Sequence, residues 1–321
     1  MPEEDTDGLL RRIDALLAKE DKAEVDAGFR RLLDEYGADG DAQTGPRPGY
    51  ITLLNEYAGW LRGTSRFADS ERYFRMLLSA LEQAHAQHSV AYARALLNLA
   101  GLKRLLGDPQ QALELTDRAE KIVDGSAQDD RYVRATVMNS RMLAYIAMGD
   151  YQSAADVCKR LIESLNVNPE TGEHEAATAF NNLAGIYLKM NDLDNAETAA
   201  NAALDIYAHM ADENIHHGAA LETMGVVMYR RCEYAKAAEC FERSAGLVKR
   251  YFGENDEYRV AQRNLAAARA AMEVPPGATT ATQTAAAQTT ATQTAAAQAA
   301  AAQATATKAT AAKPASGSGQ K

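Results

Sequence analysis

A fifteen-residue pattern occurs twice in this chain, and the distance between its copies limits what the chain can fold into. Asn-Leu-Ala-Gly-Leu-Lys-Arg-Leu-Leu-Gly-Asp-Pro-Gln-Gln-Ala at 98–112 aligns without a gap with Asn-Leu-Ala-Gly-Ile-Tyr-Leu-Lys-Met-Asn-Asp-Leu-Asp-Asn-Ala at 182–196, 84 residues away. Halfway between them, 140–154 carries Ala144-Tyr145 and Met148-Gly149-Asp150-Tyr151, while 56–70 and 223–237 extend the series outward. The spacings are 42, 42, 42 and 41 residues. A fixed period of this size is the signature of a stacked array, in which each unit buries its apolar face against its neighbours.

Each unit reads as two helical stretches around a short break: 63–65, 107–109, 149–150, 191–192 and 231–233. Gly or Asn there can take the left-handed conformation that ends a helix, and the following Asp or Pro starts the next. Small residues recur where the two helices of a hairpin should cross. Ala58, Ala100, Ala184 and Gly225 stand on the first helix, and Ala112, Ala154, Ala196 and Ala237 on the second. Larger apolar residues surround them at helical spacing, such as Leu54, Tyr57 and Leu61, or Phe180, Leu183 and Tyr187, with Phe74, Leu77, Phe241 and Leu247 on second helices.

With these residues in view, the chain resembles the tetratricopeptide repeat family. The small residue, the tyrosine three later (Tyr187, with Tyr145 at the same place), the Gly-Asp or Asn-Asp turn and the following Ala match that family's pattern over about residues 50–257. The 42-residue period, Asn181-Asn182-Leu183-Ala184 and Tyr251-Phe252-Gly253-Glu254-Asn255 are similar to the longer repeats of kinesin light chains and their bacterial relatives. Arg141, Lys103 and Met142 depart from the pattern, standing where the family has apolar or small residues. The resemblance implies an all-α, right-handed superhelical solenoid of five hairpins with capping helices at both ends. First helices would line a concave groove and second helices the convex surface.

The expected domain organisation follows. Residues 1–36 form an N-terminal helical cap carrying Leu9, Leu10, Ile13, Leu16 and Leu17, then Val25, Phe29, Leu32, Leu33 and Tyr36. Residues 37–48, rich in Gly, Asp and Pro, are a linker. Five repeats occupy 49–257, and a last helix at 258–273 closes the open end. The Ala/Thr/Gln-rich tail at 274–321 has no acid and no aromatic residue, and such low complexity predicts disorder.

Charge and cysteine usage exclude several functions. The net charge is −10, and because the tail contributes three lysines the body before it carries −13. Nucleic acid is therefore an unsuitable partner, since phosphate binding draws on Lys and Arg displacing counterions. The opening Met-Pro-Glu-Glu-Asp-Thr-Asp is acidic where a secretory leader would be basic, and no apolar run approaches the ~18 residues of a membrane span. Cys158, Cys232 and Cys240 form no CxxC pair, which suits reduced thiols. The expected location is the cytoplasm, without membrane contact.

The search for chemistry is negative. No Gly-rich phosphate loop, GxSxG elbow or HExxH occurs. His85 with His88, and His216 with His217, lack the three or four converging ligands that a metal needs; the first pair reads as exposed helix-end residues and the second as exposed residues of an inter-repeat loop. Cys158 falls at the core position of Phe74 and Phe241. The expectation is a protein that is not an enzyme, with no cofactor and no metal.

Recognition is expected instead from the first helices. The face turned away from each core set offers Asn55 with Glu56, Asn98, Asn139 with Ser140, Asn181 with Asn182, and Glu222 with Thr223. Further along come Arg62, Arg104, Ile146, Lys189, Tyr229 and Arg230. Asn is a poor mid-helix residue, so its presence in four of five repeats calls for a reason. Two readings are open: carboxamides that grip the backbone of an extended peptide, as they do in related peptide-binding repeats, or carboxamides that bridge neighbouring repeats or merely face water. Arg62, Arg104, Lys189 and Arg230 would anchor acidic side chains of such a ligand, or else form a solvated basic face. The expected function is an adaptor binding a partner's peptide segment in the groove. The alternatives are a peptide-sensing receptor and an accessory subunit that stabilises an enzyme complex.

Overall fold

In the computed structural model, the described residues are 6–37, 46–126, 131–165, 174–210 and 215–273. Most of the expected linker and the whole of the 274–321 tail lie outside them. The described residues form α-helices joined by turns, in two compact units divided between Met148 and Gly149.

The first unit holds α1 (Thr6–Leu17), α2 (Lys22–Gly37), α3 (Pro48–Gly63), α4 (Phe67–Gln83), α5 (Val90–Leu105), α6 (Pro109–Asp124) and α7 (Arg131–Met148). Each helix packs on the next, most lightly between α1, α2 and α3, and α5 also touches α3 and α7. The second holds α8 (Tyr151–Ser164), α9 (His174–Met190), α10 (Leu193–His209), α11 (Ile215–Arg230), α12 (Tyr234–Phe252) and α13 (Asp256–Met272). Here too successive helices pack, and α9 also packs on α11. Both units are thus all-α hairpin arrays of the expected kind.

The turns explain the period. Ser65, Gly107, Gly149, Asn191 and Cys232 all have positive φ, between 59° and 80°, and they recur at the spacing of the repeat. After four of them the chain closes the same bond: the amides of Arg66, Asp108, Asp192 and Glu233 donate to Leu61, Lys103, Tyr187 and Met228 carbonyls at 2.8–2.9 Å. This left-handed closure satisfies carbonyls that the helix end would leave bare. The next helix then starts on an acidic cap. Asp108, Asp150 and Asp192 side chains accept from the amides of Gln111, Ser153 and Asn195 at 3.0, 3.1 and 3.2 Å. At the first and last of these turns Arg66 and Glu233 take the cap position without a side-chain cap bond.

Close helix crossing follows from the small residues. Ala58, Ala100, Ala112, Ala154, Ala184, Ala196 and Ala237 are all buried. A Cβ on Gly225 would lie 2.5 Å from Cε1 of Phe241, so that crossing admits no side chain at all. In the first repeat Ser70 replaces the second-helix alanine and donates its hydroxyl to the Ala58 carbonyl at 2.8 Å. One core position, four residues on, is filled by Phe74, Thr116, Cys158, Ala200 and Phe241, all buried. Cys158 is a core residue as expected: its Sγ lies 3.2 Å from the Ala179 carbonyl, and burial pushes the thiol up to about 12.

The two N-terminal helices join the first repeat through aromatic and ionic contacts. Phe29 stacks on Tyr57 with centroids 5.0 Å apart, and the Tyr57 hydroxyl donates to Asp26 at 2.5 Å. Asp26 also receives Arg66 and Arg30. Lys103 and Arg141, which break the family pattern, reach back to the preceding second helix. Lys103 pairs with Glu71 at 2.7 Å and Arg141 with Glu120 at 2.8 Å, so charge replaces apolar contact between hairpins.

Two substitutions test this geometry by urea unfolding. Gly149→Ala meets no atom within 4 Å, so its expected loss of about 1 kcal/mol comes from the positive φ alone. Gly225→Ala displaces the Phe241 ring and should lose about 1–3 kcal/mol. A silent Gly149→Ala variant would mean that the turn is not left-handed.

Candidate peptide-binding faces

In the first unit the expected site residues gather on α3 and α5. Asn98 donates from Nδ2 to Oδ1 of Asn55 at 2.8 Å, and Asn55 in turn donates to Glu56 at 3.0 Å. Arg62 donates to the backbone carbonyl of Asn98 at 3.3 Å. Two first helices are therefore tied together by the very side chains that offered themselves to a ligand. Burial pushes the Glu56 carboxyl up, opposed by the Asn55 bond.

The arginines are set apart by what they lack. Burial holds Arg62 below the ordinary guanidinium range, and the charge of Arg104 adds to this. Arg104 is likewise lowered by burial, and its Nη2 is buried with no hydrogen-bond partner among the described residues. Elsewhere in this unit cations meet carboxylates: Arg12 with Glu35, Arg66 with Asp69, Arg75 with Glu71, Arg134 with Asp124, Arg141 with Asp117. Arg62 and Arg104 face one another's charge instead. Asn139, on α7, is half-buried.

The second unit repeats the arrangement on α9 and α11. Arg230 donates from Nη1 to the Leu188 carbonyl at 2.7 Å, bridging the two first helices. Burial lowers Lys189, and Arg230 lowers it further; Arg230 is itself lowered by burial. By contrast the adjacent Arg231 is paired with Asp194 and Glu197. Tyr229 is half-buried against Tyr234, edge to face at 5.3 Å. The asparagines differ: Asn182 is half-buried, whereas Asn181 is only 5% exposed and its Oδ1 has no partner among the described residues. Glu222 and Thr223, read from the sequence as solvent-facing, are buried, at 8% and 0%. Helix α12 covers α11, and the α11 face is buried nearly all round, which a single-helix pattern does not reveal.

The tetratricopeptide repeat profile matches residues 50–124 and 133–209. This is a tetratricopeptide-repeat protein. No curated protein is significantly similar to it in sequence. Solved structures share its fold. BtubC (BKLC) from P. vanneervenii is 19% identical, with a TM-score of 0.54, over 74% of this chain and 91% of that one. The apo quorum sensor NprR from B. thuringiensis is 12% identical, with a TM-score of 0.60, over 84% of this chain and 71% of its own. A Rap protein complexed with Competence and Sporulation Factor is 13% identical, with a TM-score of 0.58, over 85% and 77%.

Other reactive side chains of this repeat protein have structural roles. His85 ends α4 at φ 54° and is exposed, as is His88. His216 and His217 depart from the expectation of exposed loop residues, lying instead in the first turn of α11. The His216 ring packs edge-on against His174, centroids 4.2 Å apart, and His217 stacks on Tyr207 at 5.7 Å. The first turns of α9 and α11 lie side by side here, so His217 is buried and His216 half-buried. Among the described residues no group of three or more His, Cys, Asp or Glu could hold a metal ion, and no helix is long and apolar enough to cross a membrane. Burial raises the Cys240 thiol.

Three outcomes are expected from the site geometry. Asn98→Ala strands the Asn55 carbonyl and should lose about 1 kcal/mol of stability in urea. Arg104→Met removes an unpaired, desolvated charge and should raise stability by about 0.5–2 kcal/mol. Burial and His174 push His216 down to about 4, below its ordinary 6.5. The folded state then binds fewer protons than the unfolded one, so this group's contribution is whole above about 6.5 and is lost as pH falls towards 4. Thermal scans of His216→Phe and wild type between pH 7.5 and 4.5 should diverge, with the variant losing less.

Proposed function

We propose that this protein is a non-enzymatic, cytoplasmic adaptor that binds an extended segment of a partner protein along the exposed first-helix faces of its repeats. We further propose that the segment carries acidic side chains. One observation carries this reading: Arg62, Arg104, Lys189 and Arg230 are desolvated on first helices without a carboxylate partner among the described residues, in a chain whose acids outnumber its cations. An unpaired buried cation destabilises the fold, and a ligand carboxylate would relieve it. Charge-assisted hydrogen bonds from a planar guanidinium are strong and directional. The division into a cap at 1–36, five repeats at 49–257 and a closing helix at 258–273 is part of the same proposal. Half-buried Asn139 in the first unit, and Asn182 with Tyr229 in the second, would each add contacts on their own unit's face.

The structural likeness to a Rap protein complexed with Competence and Sporulation Factor supports a peptide or protein ligand in general terms. A peptide-sensing receptor uses the same faces; it differs in that ligand addition changes the radius of gyration.

The test is affinity isolation of the tagged full chain from its native extract, beside an Arg62→Ala/Arg104→Ala variant and an Asn139→Ala/Asn182→Ala variant. A stoichiometric partner that weakens at least tenfold with the arginine variant, and whose binding falls with salt, is the expected result. A partner that stays bound to both variants would overturn first-helix recognition and favour the accessory-subunit alternative.

A further inference from the structure

The second unit also buries an acid that the proposed function does not use. The first-helix position held by Asn139 and Asn181 becomes Glu222 on α11, and 42 residues further on the same position is Asn264 on α13. The Asn264 amide donates to Oε1 of Glu222, and both side chains are buried. Oε2 is buried with no hydrogen-bond partner among the described residues. Ser244 on α12 is also buried and its hydroxyl acts on the carboxyl. The charge of Glu222 is also felt by the Cys240 thiol of α12. Helices α9 and α10 also pack on α11 but present no charged group that acts on it.

We propose that Glu222 is a proton-controlled latch for the C-terminal helix α13: as the neutral acid it holds α13 on α11 and α12, and loss of its proton loosens that helix. A carboxylic acid can accept the Asn264 hydrogen bond without carrying charge. A carboxylate in the same place has two neutral donors at most and no cation, which does not offset its desolvation. The three helices meet at this one side chain, so the burden of ionisation falls on their packing. Undocking α13 exposes its buried stripe of Ala261, Leu265 and Ala268 and lets water reach Glu222.

The direction follows from burial, which pushes the carboxyl up to about 7 from its ordinary 4.5, against the opposing bonds from Asn264 and Ser244. The docked state then holds its proton over a range where the undocked state has lost it. Docking is strongest below about 4.5, weakens as pH rises to about 7, and levels off above that.

Hydrogen exchange of the full chain, corrected for the intrinsic pH dependence of amide chemistry, tests the latch. Between pH 5.5 and 8.5 protection of amides in 256–272 should fall about tenfold or more, while amides of α9 and α10 hold. In Glu222→Gln, protection of α13 should stay level across that range. The same pH dependence in variant and wild type would overturn the proposal. If the variant does not fold, a carboxyl carbon-13 titration of the wild-type glutamates decides. One glutamate titrating near 7 supports the latch, and all titrating near 4.5 overturns it.

Discussion

Two helices that cross almost in contact are the constraint on which this structure depends. The crossing needs a residue of minimal bulk on each helix, and it needs a turn short enough to bring them back at once. Gly225 under the Phe241 ring shows how little room there is, and Ala58 with Ser70 shows the space used for a hydrogen bond instead. Once crossing and turn are fixed, the larger side chains at helical spacing have one place to go. Phe74 and Phe241 fill it with rings, while Thr116, Cys158 and Ala200 fill the same position in other repeats with less. Cores that keep total volume tolerate such exchange, because neighbours repack.

Between hairpins the glue is more polar. Lys103 on Glu71 and Arg141 on Glu120 and Asp117 join first helices to the preceding second helices. Asn98 on Asn55, Arg62 on the Asn98 carbonyl and Arg230 on the Leu188 carbonyl join first helices to each other. A stack held by such bonds has its register specified, since a shift by one residue would leave each donor without its acceptor. The same bonds put recognition residues and structural residues on one face, so a ligand that engages Arg62 acts directly on the joint between α3 and α5.

The fold was legible because its constraints are local. Left-handed turns, acidic caps and small crossings each fall within a few residues, and their recurrence from Ser65 to Cys232 made the period plain. The candidate faces were legible as a pattern of residues but not in their contacts. Asn55 and Asn98 were visible as a ladder, yet their mutual bond spans 43 residues and depends on the lateral distance between helices, which no helical wheel contains. Glu222 read as solvent-facing because its cover comes from α12 and α13, elements placed only by tertiary packing. His216 and His217 failed for the same reason: the first turns of α9 and α11 had to be side by side before their rings had anything to touch.

The proposed binding of an acidic segment by an acidic protein needs a physical account. The body before the tail carries −13, which at long range repels a like-charged ligand. At physiological salt that field fades over about 8 Å, whereas a partly buried pair of charges is screened far less. Arg62 with Arg104, and Lys189 with Arg230, lie in such desolvated places, while many of the acids are exposed or already matched by Lys and Arg. Close-range attraction at two points can therefore outweigh diffuse repulsion, at the expense of a slower approach. In the proposed function the net charge would act as a filter. It would disfavour loose binding of anions over the surface and leave affinity to segments whose acids reach Arg62 with Arg104, or Lys189 with Arg230.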